Sequence, residues 1–191
     1  MKSKIKNYWK IFLEYIEYNQ KRIIIHIGFF TAIVAVLLLI DLLTKGLLFE
    51  WGNELEGKHQ FGGSSWESSF FGIRSVSNSG LTVFGGILPT GVIHFFNFII
   101  LFVCIGFLIF IKSKSFITAI AFIFAGTLGN MIDRFAFQGH VRDIIFLPWA
   151  NRGTFNFADV DAFTGTIIAL ITLIVHIIKQ YVANKNKNKN N

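Results

Sequence analysis

The carboxylate, amide and basic side chains that could do chemistry lie near the ends of four long apolar stretches of the chain. They come from separate segments: Asp41 and Lys45, then Asn78, then Asn130, Asp133 and Arg134, then Arg142 and Asp143, and finally Asn156, Asp159 and Asp161. Polar groups at membrane depth are costly and tend to be functional. We therefore expect these segments to meet at one face of a membrane.

Two of the carboxylates could act as a pair. Asp143 and Asp159 flank a loop with Pro148 and Gly153 that can fold back on itself. Two carboxylates within hydrogen-bonding distance do not both ionise easily, so one keeps a proton and the other acts as a base. Such a pair can activate a water against a peptide carbonyl and protonate the leaving amine without a cofactor.

Other catalytic chemistries have weaker support. No GxSxG motif is present, and Cys104 lies inside an apolar run without an activating partner. His140 follows the acidic segment, but no second histidine stands at a metal-ligand spacing, so we expect no metal. A metal-dependent membrane hydrolase stays open as an alternative, and it would require an ion that EDTA removes.

Several of these residues also have purely structural interpretations. Asp161 stands just before an apolar stretch and is predicted to be a helix N-cap. Asp133 and Arg134 are predicted to form a structural ion pair that ties their helix to a neighbour. Asp41 and Lys45, at i and i+4, are either a helix-end pair or part of a site wall.

The elements that must position these residues are transmembrane helices. The chain is 53% hydrophobic and only 15% charged, with a mean hydropathy of +0.56, whereas soluble domains carry roughly 25% charged residues. Four stretches are long enough to cross about 30 Å of hydrocarbon: Ile23–Ile40, Gly91–Ile111, Ser115–Ile132 and Ala162–Ile178. The sequence therefore predicts an all-α integral membrane protein with four transmembrane helices.

The distribution of basic residues predicts the orientation of these helices. Most of the 18 lysines and arginines lie before the first stretch, between the second and third, or after the fourth. The positive-inside rule then places both termini in the cytoplasm and the polar cluster near the outer face. The net charge of +7 thus reflects topology, and we expect no nucleic-acid partner.

Three segments remain outside the predicted spans of the membrane domain, 23–180. Residues 1–22 place apolar and basic side chains on different helical faces, which predicts a separate amphipathic helix on the cytoplasmic surface. Residues 49–90, rich in Gly, Ser and aromatics, predict a small outer β-cradle or flap with β-like pieces around Phe70–Val76 and Leu81–Phe84. Residues 181–191 end in a Lys/Asn repeat and are predicted to be a disordered basic tail.

Five short motifs at these positions make the chain resemble the lipoprotein signal peptidase (signal peptidase II) family of bacterial aspartyl membrane peptidases. They are Asp41-Leu-Leu-Thr-Lys45, Asn78-Ser-Gly80, Gly129-Asn-Met-Ile-Asp-Arg134, Val141-Arg-Asp143 and Phe155-Asn-Phe-Ala-Asp159. Each motif alone is weak, but all five occur in the family's order at the expected helix ends. The resemblance implies four membrane helices with an outer β-cradle and a flap.

The resemblance also implies an activity and a role for each motif residue. The family removes the signal peptide from diacylglyceryl-modified prolipoproteins, just before the lipidated cysteine, in the bacterial plasma membrane. Carried over by motif, Asp143 and Asp159 are the catalytic dyad, and Asp133 and Gly129 are structural. The residues implied to bind substrate, orient the dyad or line the pocket are Asn130, Arg134, Asn156, Asn78, Asp41 and Lys45. We expect a monomer whose partners are these substrates and the membrane lipids.

One departure from the family pattern bears on the chemistry. Arg142 stands where the family usually has a small aliphatic residue, and a cation there is expected to lower the pKa of Asp143. The alternative function is a small non-enzymatic transporter or assembly factor that uses the Asp–Arg and Asp–Lys pairs. A transporter should carry polar groups through the midplane, whereas the polar residues here gather at one leaflet.

Overall fold

A computed structural model describes residues 2–51, 54–56, 59–80, 82–83, 86–150 and 152–189 of the chain. Its helices are α1 (Lys2–Leu48), α2 (Thr90–Phe110), α3 (Lys114–Ala136) and α4 (Phe157–Lys189). Its strands are β1 (Glu54–Glu56), β2 (His59–Glu67), β3 (Gly72–Asn78), β4 (Thr82–Val83), β5 (Gly86–Ile87), β6 (Val141–Leu147) and β7 (Arg152–Phe155). All four helices are long and apolar enough to cross a membrane, which confirms the predicted helical class.

Helix α3 lies at the centre of the bundle and contacts the other three helices. The core is formed by buried residues of α1, α2 and α3: Phe30, Val34, Cys104, Leu108, Ile117, Ile120, Ala121 and Ala125. Glycines bring α3 and α4 close together, since a Cβ on Gly126 would meet the Ala158 carbonyl and one on Gly165 would lie 2.7 Å from the Ala119 carbonyl oxygen. Small residues at membrane helix interfaces allow this approach of two backbones.

The sheet extends beyond the segment predicted to form the cradle. Its five strands follow the order β1-β2-β3-β6-β7, and all neighbours are antiparallel. The pieces predicted around Phe70–Val76 and Leu81–Phe84 overlap β3 and β4. Strands β6 and β7, joined by a 3-10 turn at Pro148–Ala150, lie in a segment that we had expected to be a loop. Since β6 contacts α1 and α3, the sheet is fixed to the helix bundle.

The two ends of the chain differ from the sequence predictions. Residues 2–22, predicted to be a separate surface helix, are the first turns of the continuous helix α1. Neither of the two prolines lies in this segment, and Tyr15 and Arg22 both donate hydrogen bonds to the Ile109 carbonyl at the end of α2. Residues 181–189, predicted to be disordered, continue α4, because no proline or glycine interrupts the helix after its apolar part.

Candidate active site

Asp143 lies in the middle of strand β6, with its side chain only 2% exposed. Asn78, on the neighbouring strand β3, donates from Nδ2 to Asp143 Oδ2 at 3.2 Å. Asn156, just before α4, donates from Nδ2 to Asp143 Oδ1 at 2.7 Å. The sheet and the start of α4 therefore hold this carboxyl from two sides.

Asp159 lies in the first turn of α4 and is exposed. Its Oδ2 accepts from the Asn156 backbone N–H at 3.2 Å, and the Asn156 Oδ1 accepts from the Asp159 N–H at 3.0 Å. This reciprocal arrangement is a capping box, with Asn156 as the N-cap and Asp159 as the third helical residue. The prediction that Asp161 is the N-cap is therefore wrong. Helix α4 begins at Phe157, and Asp161 is a buried residue of its second turn.

Two asparagine amides connect the carboxylates. Asn130 of α3 donates from Nδ2 to Asp159 Oδ1 at 2.8 Å, and its Oδ1 accepts from Asn156 Nδ2 at 3.0 Å. Because Asn156 also donates to Asp143, the chain of hydrogen bonds runs from one carboxylate to the other. A shift in any of these side chains would alter the relative position of Asp143 and Asp159.

A buried charge network lies behind Asn130. Lys45 Nζ lies 2.8 Å from Asp41 Oδ2, 3.4 Å from Asp133 Oδ2 and 3.2 Å from Asn130 Oδ1, with none of its side chain exposed. Asp41 also accepts from the Ala158 backbone N–H at 2.9 Å, which satisfies another free donor at the start of α4. The predicted Asp41–Lys45 pair is thus confirmed, and it links α1 to the first turn of α4.

Asp133 pairs with residues other than its sequence neighbour Arg134. Its carboxylate accepts from the Arg142 backbone N–H at 3.0 Å and pairs with the Arg142 guanidinium at 2.8 Å. Arg134 instead donates to the Asn130 backbone carbonyl and lines the cavity that contains both catalytic candidates. Within the described part of the chain, Asp133 therefore forms ion pairs to neighbouring elements and Arg134 does not.

The prediction that Arg142 lowers the pKa of Asp143 is wrong, because Arg142 pairs with Asp133 instead. Side chains alternate between the two faces of a strand, and the Arg142 guanidinium points to Asp133, against the Phe137 ring. Burial instead raises the pKa of Asp143 from 3.8 to about 7, and the charge of Asp159 adds to the rise. The hydrogen bonds from Asn78 and Asn156 and the charge of Lys45 oppose it. Asp143 can thus hold a proton near neutral pH.

The two carboxylates line one cavity of about 370 Å³ between the sheet and helices α2, α3 and α4. Asn78, Asn130 and Arg134 lie on its wall with them. Of the remaining members of the predicted site, Lys45 and Asn156 bond to these residues directly, and Asp41 bonds to Lys45 and to the Ala158 N–H. Gly129 fits against Asp41, because a Cβ there would lie 2.6 Å from the carboxylate oxygen.

Two polar side chains of the cavity wall were not identified from the sequence. Asn97 of α2 and Thr127 of α3 both line the cavity, yet neither belongs to a motif. The one signal was an amide inside the apolar run of α2. Among the described residues, no group of three or more potential metal ligands is found, and His140 Nδ1 lies 2.7 Å from the Ser77 hydroxyl.

Comparisons with known proteins find one matching family model and several similar structures. A family model described as Signal peptidase (SPase) II matches residues 33–175. Two solved structures, both titled as bacterial membrane enzymes determined by the in meso method, are similar over most of the chain. One, at 2.3 Å resolution, has a TM-score of 0.63 and 27% identity and covers 78% of this chain and 88% of its own. The other, at 1.9 Å, has a TM-score of 0.62 and 28% identity and covers 77% and 93%.

Curated relatives match over a shorter segment. A protein from Neisseria meningitidis serogroup C, named lipoprotein signal peptidase, is 41% identical over 61 residues, which are 31% of this chain and 37% of that protein. A protein of the same name from Pseudomonas fluorescens is 41% identical over 58 residues, or 29% and 34%. The aligned segments thus span little more than a third of either relative.

Proposed function

The chain belongs to the signal peptidase II family, and we propose on that premise that it is an aspartyl endopeptidase of lipoprotein maturation. It removes the signal peptide from diacylglyceryl-modified prolipoproteins and cleaves just before the lipidated cysteine. The observation that carries this proposal is the pair of carboxylates, Asp143 and Asp159, on the wall of one cavity. A network of asparagine amides joins them, and this network sets their separation.

The two carboxyls take different roles because their environments differ. Asp143 is buried, and its pKa of about 7 keeps a proton available. Asp159 is exposed to water at the start of a helix, and each of its oxygens accepts one hydrogen bond, from Asn130 Nδ2 and from the Asn156 backbone N–H, which hold it in place. We therefore assign Asp159 as the general base and Asp143 as the general acid.

Proton transfer between these groups accounts for the reaction. Asp159 takes a proton from a water molecule as the water oxygen forms a bond to the scissile carbonyl carbon. Protonated Asp143 donates a hydrogen bond to the carbonyl oxygen. Asp143 then gives its proton to the leaving amine as the C–N bond breaks. The new acid and the amine separate, and the proton that Asp159 took from water passes to Asp143, directly or through water, which restores both starting states. General acid–base catalysis of this kind contributes about 10²–10⁴-fold to a rate.

The neighbouring residues hold the dyad and the substrate. Asn130 orients Asp159, and Asn156 orients both carboxyls. The positive charge of Arg134 interacts with the carboxyl groups of Asp143 and Asp159. Arg134 is also available to bind the substrate backbone. Lys45 fixes the amide oxygen of Asn130 from behind the cavity.

The position of the cavity suits a substrate held in the bilayer. It is lined by residues of three membrane-spanning helices and of the sheet, an arrangement that we propose admits a lipid-modified peptide from the bilayer. The protein is a multi-pass membrane protein. From the distribution of its basic residues we place both ends of the chain in the cytoplasm and the cavity near the outer face.

Cleavage of two matched peptides tests this proposal. Both carry the same signal sequence and cysteine, and only one bears the diacylglyceryl group. We expect the protein in nanodiscs to cleave the lipidated peptide alone, before the cysteine and equally well with EDTA, as read by mass spectrometry. Loss of activity in EDTA would favour a metal-dependent hydrolase, and an uncleaved lipidated peptide would favour transport or assembly.

A further inference from the structure

Two polar side chains in the cavity lie deeper in the bundle than the dyad. Thr127 precedes Asn130 on α3 by about one helical turn, and the spacing of Thr127, Asn130 and Arg134 puts all three on one face. Asn97 lies about 10 Å along α2 from Thr90, where that helix begins just after strand β5. Thr127 lies about 13 Å along α3 from Ala136, where that helix ends. Asn97 and Thr127 therefore lie at similar depths below these two helix ends.

Neither side chain has a hydrogen-bond partner within the described part of the chain, although both line the cavity. An unpaired amide or hydroxyl in an apolar membrane interior costs several kcal/mol. Three other threonines in these helices, Thr44, Thr118 and Thr166, avoid that cost by donating to the carbonyl four residues earlier. Asn97 and Thr127 are therefore available to donate to a group that enters the cavity.

The cavity around them is otherwise apolar. Its wall at this level comes from the side chains of α2 and α4 that face it, namely Ile93, Phe96, Ile100 and Ala162. A ligand at this depth must therefore be mostly hydrocarbon and must present hydrogen-bond acceptors near the dyad. A glycerol diester fits both conditions, because its two ester carbonyls stand between the glycerol and the acyl chains.

We propose that Asn97 and Thr127 form a subsite for the ester carbonyls of a diacylglycerol group. This inference rests on the proposed function, since in that reaction the diacylglyceryl group is attached to the cysteine beside the scissile bond. With the scissile carbonyl at Asp143 and Asp159, the glycerol esters lie farther into the membrane, at the level of these two donors. The subsite thus makes the enzyme prefer an ester-linked substrate.

The test compares two lipopeptides that differ only in the lipid linkage. One bears a diacylglyceryl cysteine, and the other bears the dialkyl ether of the same chain length, which has no carbonyls. Both are cleaved in nanodiscs of ether phospholipids, so that the substrate is the sole source of ester groups. The readout is the ratio of kcat/KM for the ester to that for the ether.

We expect wild type to prefer the ester by on the order of tenfold, since each neutral hydrogen bond contributes about 0.5–1.5 kcal/mol. Asn97→Leu and the nearly isosteric Thr127→Val should each lower this ratio by roughly threefold, because each removes one donor that only the ester can use. Thr118→Val, on the same helix but outside the cavity, should keep the wild-type ratio.

Equal cleavage of both lipopeptides by wild type would overturn the subsite and leave the proposed peptidase standing. The subsite would also fall if Asn97→Leu and Thr127→Val slowed both substrates by the same factor, because that pattern indicates a structural role. If wild type cleaved neither lipopeptide, the proposed function would fall, and the subsite with it.

Discussion

Removal of the Asn78 amide should move the basic limb of the pH profile to higher pH. Asn78 Nδ2 donates to Asp143 Oδ2 at 3.2 Å and so stabilises the ionised carboxylate. In the Asn78→Ala variant the ionised form loses this donor, and the pKa of Asp143 rises above its present value of about 7. Since the mechanism needs protonated Asp143, kcat/KM falls as pH rises through that pKa, and the fall should begin later in the variant.

The size of the shift follows from the strength of the lost hydrogen bond. Hydrogen bonds to charged groups contribute about 1.5–3 kcal/mol, and one pKa unit corresponds to about 1.36 kcal/mol. The distance of 3.2 Å is long for a bond to a carboxylate, so we take the lower end of that range. The limb should therefore move up by about one unit.

The assay measures kcat/KM for one lipopeptide from pH 5 to pH 9 in nanodiscs. Ser77→Ala is the matched control, because Ser77 lies next to Asn78 on β3 but contacts His140. The control should keep the wild-type limb. A limb that stays in place or moves to lower pH in Asn78→Ala would refute the assignment of Asp143 as the general acid, whatever happens to the maximum rate.

Two further predictions concern the packing that holds the site. Gly126→Ala should destabilise the fold by about 1–3 kcal/mol, because the new Cβ would meet the Ala158 carbonyl. Gly106→Ala, which has open space around it, should cost nothing in the same SDS unfolding titration; equal costs would contradict the packing argument. Lys45→Met should cost about 3–5 kcal/mol by leaving Asp41 buried without its partner. Adding Asp41→Asn should recover part of that loss in the same titration, and no recovery would contradict the argument.

The helices were predictable because a membrane helix satisfies its own backbone hydrogen bonds, and its sequence is a long apolar run. The sheet was only half predictable. Asp143 lies on β6, whose short sequence gives no clear strand pattern by itself. Its strand structure depends on pairing with β3, which is distant in the sequence. The continuous helix α1 was missed because amphipathic periodicity is the same for a helix on a surface and for one that continues a membrane span.

The candidate site shows a similar division. The motifs identified the residues, but the partners of each depended on geometry. Arg142 follows the strand alternation away from Asp143 and pairs with Asp133. Asn156 caps α4, a role that the sequence analysis gave to Asp161. Asn97 belongs to no motif, and it was identified as a site residue from the position of its helix beside the cavity.

The central claim is that Asp143 and Asp159 together carry the chemistry. It is tested most directly by cleavage of a diacylglyceryl lipopeptide by wild type, Asp143→Asn, Asp159→Asn and Asp161→Asn, with folding checked by SDS titration. Asp161 is the matched control, because it is a buried aspartate of the same helix that does not line the cavity. We predict a loss of at least about 100-fold in kcat for either dyad variant and near-normal cleavage by Asp161→Asn. Full activity in a folded Asp143→Asn or Asp159→Asn variant would contradict the account.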